Sequence, residues 1–111
     1  MSVADDVKEI FNKMPEAFLP EKAGDTNGII QIDLNGDGGG QWALHIADGK
    51  ISVTEGQADS PKLTLKMLAG DYLALSRGQV SPMNLFMAGK IRLEGDMMLA
   101  MKFPEMFRMG G

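Results

Sequence analysis

The sequence predicts an α+β fold: a five-stranded, mostly antiparallel sheet with helices covering one face. Five short segments alternate apolar and polar residues, which is the pattern of half-buried strands. Four other segments place apolar residues three or four positions apart, as amphipathic helices do. One sheet under one layer of helices buries both sets of apolar faces. The length of 111 residues suits a single domain over 1–111.

The first half of the chain is predicted as one helix followed by four strands. Ser2 and Asp5 have capping-box spacing, and apolar residues recur at helical intervals as far as Met14. Pro15 is a weak break, and residues 21–27 are expected to form a loop. Asp48-Gly49 is a tight-turn dipeptide, which joins two of the strands in a hairpin. The strands are predicted at 28–34, 41–47, 50–54 and 62–66.

The second half is predicted to be mostly helical. A helix is expected over 67–77, and a shorter one starts at Ser81-Pro82, where serine caps and proline takes the first helical position. Residues 90–94 alternate as a fifth strand. Asp96 can cap a final helix that Pro104 interrupts.

Composition and charge exclude several classes of protein. A net charge of −4 argues against nucleic-acid binding, which depends on lysine and arginine. The absence of cysteine excludes disulfides, thiolate nucleophiles and zinc–thiolate sites. No apolar run reaches the length that spans a bilayer. The acidic, amphipathic N-terminus does not resemble a secretory signal, so we expect a cytoplasmic protein.

The stretch Asp33 to Gly40, DLNGDGGG, begins like an EF-hand calcium loop. That loop requires a glutamate at its twelfth position, where this chain has Leu44. The flanking segments also alternate as strands, whereas an EF-hand needs helices. We therefore interpret the stretch as a hairpin connection and predict no metal site.

No catalytic constellation is evident. His45 is the sole histidine and shares its strand face with alanines. The glycine run is not followed by the Lys-Ser/Thr pair of a P-loop, and no Gly-x-Ser-x-Gly elbow is present. We therefore predict a protein that is not an enzyme, with no catalytic residues and no cofactor.

Methionine is the unusual feature of the composition. The chain holds ten methionines, and the last helix is apolar nearly all round. Such a helix is either buried on several sides or contacts something else. Methionine suits both roles because it is flexible and polarizable. Two interpretations stay open: a core helix, or a movable lid over an apolar cavity with a hinge at Pro104.

Residues 71–103, DYLALSRGQVSPMNLFMAGKIRLEGDMMLAMKF, resemble the C-terminal half of the sterol carrier protein 2 domain. The resemblance is carried by an ordered set of features: Gly78, Pro82, Gly89-Lys90, Gly95-Asp96 and the Leu99 to Lys102 helix. The Trp42 strand and the Asp48-Gly49 turn also fit in order. The similarity therefore covers nearly the whole chain.

The resemblance implies non-enzymatic carriage of a lipid in an apolar tunnel between sheet and helices. The implied ligands are fatty acids, fatty acyl-CoA, sterols or isoprenoid amphiphiles, with transient membrane contact and a monomer or weak homodimer. An alternative is an accessory domain that assembles with a lipid- or quinone-metabolising enzyme. The predicted ligand-binding residues are Trp42, Leu44, Ile46, Tyr72, Phe86, Met87, Met98, Met101, Phe103, Met106 and Phe107, with 106–109 as a cap. Lys90, Arg92 or Lys102 could hold a head group.

Overall fold

The computed structural model describes residues 2–107, in which one sheet is covered on one face by helices. The fold class is therefore α+β, as the sequence predicts. The elements in chain order are α1 (Val3–Ala17), α2 (Pro20–Ala23), β1 (Gly28–Asn35), β2 (Gly40–Ala47), β3 (Lys50–Glu55), β4 (Leu63–Leu68), α3 (Ala69–Ser76), α4 (Pro82–Met87), β5 (Arg92–Gly95), α5 (Met97–Lys102) and a C-terminal 3₁₀ turn (Phe103–Met106).

The sheet has five strands in the order β3-β2-β1-β4-β5. Three of the neighbouring pairs are antiparallel, and β1 pairs with β4 in parallel. The predicted, mostly antiparallel sheet is confirmed. Strands β3 and β4 flank the central β2–β1 pair, so the connection from β3 to β4 must pass across the sheet. Buried Gln31 holds this crossover: its Nε2 donates to the carbonyl of Gly56, and its Oε1 accepts from the amide of Ala58.

The helix-covered face of the sheet forms the core. Ile30 lies opposite Leu44 on one side and Leu63 on the other, and all three are buried. The alternation of strand side chains places every second residue on this face. The opposite face carries polar residues such as His45 and Thr54, whose side chains lie within hydrogen-bonding distance.

Helix α1 packs on the β3 side of the sheet. The Ser2 hydroxyl accepts a hydrogen bond from the amide of Asp5 at 3.2 Å, as the predicted cap requires. Val7, Phe11 and Met14 are buried on the side facing the sheet. Pro15 does not end the helix, which continues to Ala17.

The third helix begins later than the sequence predicts. Met67 and Leu68 belong to β4 instead, where they pair with Leu34 and Asn35 of β1. Met67 is buried because it continues the inward alternation of the strand. Pairing with β1 therefore outweighed the helical spacing that begins at Leu68.

The remaining differences concern loops and strand ends. Residues 20–23, placed mostly in a loop by the sequence, form the single turn α2, with Pro20 at its start. Strand β5 starts at Arg92 rather than at Lys90.

The glycine-rich stretch is a hairpin connection, as predicted. Leu34 pairs with Gly40, and Gly36 and Gly38 adopt φ values of +81° and +80° between them. Only glycine takes this conformation without strain. Gly38 also packs against the backbone of Ala4, so a side chain there would collide with the first turn of α1.

Candidate functional site

The residues of β2 and α3 predicted to line a ligand site are buried in the core. Trp42, Leu44, Ile46 and Tyr72 are all covered by neighbouring side chains. Ile32 and Leu44 have no surface accessible to water, so no water-sized cavity adjoins either residue. A ligand can therefore reach this part of the core only after side chains or helices move.

Two surface clefts lie beside α1. One, of about 220 Å³, lies between α1 and the β2–β3 edge, against Phe11, Trp42 and Glu55. The other, of about 210 Å³, lies between α1 and the end of α3. Each is too small for a long acyl chain, since ligand pockets usually span about 300–1,000 Å³.

Helices α4 and α5 carry the predicted helical side of the site. Each is anchored by one buried residue, Leu85 in α4 and Leu99 in α5. Their other large apolar side chains point into solvent, with exposed fractions between 47% and 79%. These side chains are Met83, Phe86, Met87, Met97, Met98 and Met101. The structure therefore places Phe86, Met87, Met98 and Met101 away from the core, and their contact with a ligand stays a prediction.

Each of the two helices begins directly after a residue whose side chain caps its first turn. The Ser81 hydroxyl accepts from the amide of Asn84 at 3.1 Å, with Pro82 in the first helical position. Asp96 Oδ1 accepts from the amides of Met98 and Leu99 at 2.9 and 3.1 Å. These caps fix the residue at which each short helix begins.

The C-terminal residues up to Phe107 pack into the fold. Met106 has no exposed surface, and its carbonyl accepts a hydrogen bond from the amide of Leu19 at 2.7 Å. Phe107 forms a β-bridge with Phe18, and its ring also contacts Phe103 edge-on, with centroids 5.3 Å apart. Of the two interpretations of this segment, a core position fits residues 103–107. The remainder of the predicted cap, 108–109, lies outside the described residues.

The charged groups near α4 and α5 are mostly exposed. Lys90 and Arg92 have no ion-pair partner among residues 2–107, and Lys102 is half-buried beside Gly24. Burial raises the pKa of the Tyr72 hydroxyl above its ordinary range. Across the described range, no three histidine or acidic side chains are grouped closely enough to hold a metal ion.

The sequence matches the family model described as the SCP-2 sterol transfer family over residues 7–108. The chain belongs to this family. Domains of the SCP-2 family are lipid-binding folds, and membership supports lipid binding or transfer as the general function. None of the helices described between residues 2 and 107 is long and apolar enough to cross a membrane.

Solved SCP-2 domains share the fold along nearly the whole chain. Sterol carrier protein 2 like 2 from Aedes aegypti is 28% identical with a TM-score of 0.75, covering 95% of both chains. A solution structure of the same mosquito protein, described as palmitated, is 29% identical with a TM-score of 0.73, covering 95% of this chain and 93% of that one.

A longer relative contains an SCP-2 region within a larger protein. Hydroxysteroid dehydrogenase-like protein 2 of Xenopus tropicalis is 32% identical over 97 residues, which is 86% of this chain. This chain spans about a quarter of that relative's length, 23%.

Met83, an exposed residue of α4, is not among the ligand-binding residues predicted from the sequence. Its spacing to Phe86 and Met87, three and four positions, was available in the sequence and places all three on one helix face. That spacing did not reveal whether the face points inward or outward.

Proposed function

We propose that this chain binds a lipid with a long acyl chain, such as a fatty acid or fatty acyl-CoA, and carries it non-covalently. The acyl chain would lie between the α4–α5 region and the helix-covered face of the sheet. The observation that carries this proposal is the outward apolar surface of α4 and α5, helices in which Leu85 and Leu99 are the buried residues.

The energetics favour opening of this region by a ligand. Lifting α4 exposes one buried leucine, which costs roughly 1.5–3 kcal/mol, and lifting α5 exposes Leu99 together with Ala100, which packs on the core. An acyl chain that buries roughly eight to ten methylenes contributes about 0.8 kcal/mol for each. Ordering the ligand reduces this gain. The balance still favours binding, because the ligand buries more apolar surface than the moving helix exposes.

The predicted binding residues divide by position. Tyr72 and the strand residues would form the fixed wall, and the methionines of α4 and α5 would turn inward over the acyl chain. Lys102, half-buried on α5, is suited to hold a carboxylate or phosphate head group. The proposed walls comprise Trp42, Leu44, Ile46 and Tyr72 on the fixed side, Phe86, Met87, Met98 and Met101 on the movable side, and Phe103, Met106 and Phe107 at the C-terminal end.

Titration with a fluorescent fatty acid tests the proposal. Met101→Asp places a charge on the movable side and should weaken binding at least tenfold. Ser52→Asp, on the exposed opposite face of the sheet, is the matched control and should bind normally. Native mass spectrometry of freshly purified protein should also detect bound lipid. Equal affinity for both variants, or no lipid by either method, would refute lipid carriage at this site.

The alternative is an accessory domain that assembles with a lipid- or quinone-metabolising enzyme. It is favoured by the relative in which the matching region is a minor part of a longer chain. Cross-linking in cells followed by mass spectrometry would then recover such an enzyme. Met98→Asp should abolish the cross-link, whereas Ser52→Asp should retain it. Recovery unaffected by Met98→Asp would exclude the α5 surface as the contact.

A further inference from the structure

Strand β3 forms one edge of the sheet, with β2 on one side and no strand of residues 2–107 on the other. The amide of Gly56, directly after β3, donates to the carbonyl of Gln41 in β2 at 2.8 Å. Bonded positions alternate along an antiparallel pair, so every second residue of β3 faces β2 as Gly56 does. The intervening residues, Ile51, Val53 and Glu55, direct their amides and carbonyls away from β2, towards the free edge.

The other edge of the sheet, β5, is protected in ways that β3 is not. Strand β5 has four residues, and two of them, Arg92 and Glu94, are charged. Short length and charge both discourage an edge strand from pairing with another chain. Strand β3 has six residues and carries charge only at its ends, on Lys50 and Glu55. Its centre, residues 51–54, contains no charge, proline or glycine, so β3 is the edge that is open to a partner strand.

An apolar cleft lies beside the same edge. Val53 and Glu55 contribute to the cleft of about 220 Å³ that Phe11 and Trp42 also line. Ile51 and Val53 pack against the core but are only partly buried. A strand added to β3 would cover this side of the cleft with its own side chains, because paired residues project to the same face of a sheet. Backbone groups and apolar surface are therefore both left uncovered at one place.

A second copy of β3 fits this edge in the antiparallel direction. With Val53 opposite its own counterpart in the second copy, Ile51 lies opposite Glu55. All of these residues direct their backbone groups outward, so each pair exchanges two hydrogen bonds. Ser52 then lies opposite Thr54 on the polar face of the sheet, where their hydroxyls can hydrogen-bond. No two like charges face each other in this register.

We propose that two copies of this chain associate through β3 and form one continuous sheet with a two-fold axis at Val53. The axis is perpendicular to the sheet, so the helices of both copies cover the same face. Strand β3 offers six residues from each copy, far fewer than the roughly 20–30 of a standard interface, so the dimer is weak. The inference goes beyond lipid carriage and does not rest on it, because the lipid site is proposed at α4 and α5.

Paired charges on β3 test this association by sedimentation over a range of protein concentrations. Ser52→Lys combined with Thr54→Lys places like charges opposite each other twice and should weaken dimerisation at least tenfold. Ser52→Glu combined with Thr54→Glu should do the same. An equimolar mixture of the two variants brings opposite charges together and should associate at least as strongly as wild type. Both positions are exposed, so the fold tolerates the changes.

The matched control carries the same added charge outside β3. Gln79→Lys combined with Asn84→Lys alters two exposed residues and should leave dimerisation within threefold of wild type. Each lysine variant reduces the net charge of the chain from −4 to −2, because it adds two positive charges. Overall repulsion between copies therefore falls in both, and a loss of association in the β3 variant alone reports the local contact.

A single introduced cysteine tests the register, because the chain has none of its own. Bonded pairs of an antiparallel ladder have Cα atoms about 5.5 Å apart, within the disulfide range of about 4.4–6.8 Å. Val53→Cys should therefore form an intermolecular disulfide under mild oxidation. Ser52→Cys lies opposite Thr54 rather than its own counterpart and should cross-link at least tenfold more slowly.

Several outcomes would overturn the dimer. Wild-type protein that stays monomeric at millimolar concentration would refute pairing with a second copy and leave an extended peptide of another protein as the occupant. A mixture of the lysine and glutamate variants that stays monomeric would exclude the pairing of Ser52 with Thr54. An equal loss of association in the Gln79 and Asn84 control would place the contact outside β3. Faster cross-linking by Ser52→Cys than by Val53→Cys would contradict the register.

Discussion

The ring of Phe11 on α1 lies parallel to the indole of Trp42 on β2, with centroids 4.3 Å apart and planes 6° from parallel. The same phenyl ring stacks on Tyr72 of α3, at 5.5 Å and 4°. Phe11 thus joins two helices and the sheet through a single buried side chain. Removing it would leave a cavity where α1, α3 and β2 meet.

Phe11→Ala is expected to lower the free energy of unfolding by about 3–5 kcal/mol, because it loses buried area and leaves a cavity. Urea denaturation followed by Trp42 fluorescence measures the change. Phe86→Ala is the matched control: this phenylalanine is more than half exposed, so the change should stay within about 0.5 kcal/mol. Similar losses from both variants would contradict the stacking argument.

Gln31→Ala is expected to destabilise the crossover between β3 and β4. The substitution removes hydrogen bonds to Gly56 and Ala58 and leaves their partly buried backbone groups without these partners. Such a loss costs about 1–3 kcal/mol. Hydrogen exchange should report faster exchange at the Ala58 amide. Exposed Gln41→Ala serves as control, and unchanged exchange at Ala58 in the Gln31 variant would show that the crossover is held by other contacts.

Tyr72 should make the protein sensitive to alkaline pH. Burial raises the pKa of its hydroxyl, so the unfolded chain releases the phenolic proton at lower pH than the folded chain. The contribution of Tyr72 to stability is therefore constant below about pH 10 and falls above it, by up to about 1.4 kcal/mol per pH unit. Urea denaturation across this range should show a shallower decline for Tyr72→Phe.

The chain has one tyrosine, so ultraviolet absorbance of phenolate follows Tyr72 directly. Ionisation of the folded protein at about pH 10 would contradict a buried hydroxyl.

Met106→Ala is expected to cost about 2–5 kcal/mol, because the side chain is fully buried. A detached lid over a cavity would tolerate the same change. Met101→Ala, on the exposed side of α5, is the control and should cost less than about 0.5 kcal/mol. Thermal or urea unfolding of the two variants distinguishes a core position from a lid, and equal small losses would favour the lid.

The order of elements could be predicted from local patterns. The alternation around Ile30, Leu44 and Leu63 predicted strands, and the Ser81 and Asp96 caps predicted the starts of α4 and α5. These features depend on residues close together in the chain, so sequence reveals them directly. The hairpin nature of DLNGDGGG followed in the same way, from glycines between two alternating segments.

Contacts between distant segments decided the rest. Met67 belongs to β4 because β1 lies beside it and pairs with it. Met106 is buried because the segment around it bonds to Leu19 and forms a β-bridge with Phe18. The methionine spacing of α4 predicted an apolar face, but not that Leu85 would anchor the helix and turn that face outward. The sequence by itself determined which residues share a face. Only the tertiary structure decided which face is buried, because burial depends on partners remote in the chain.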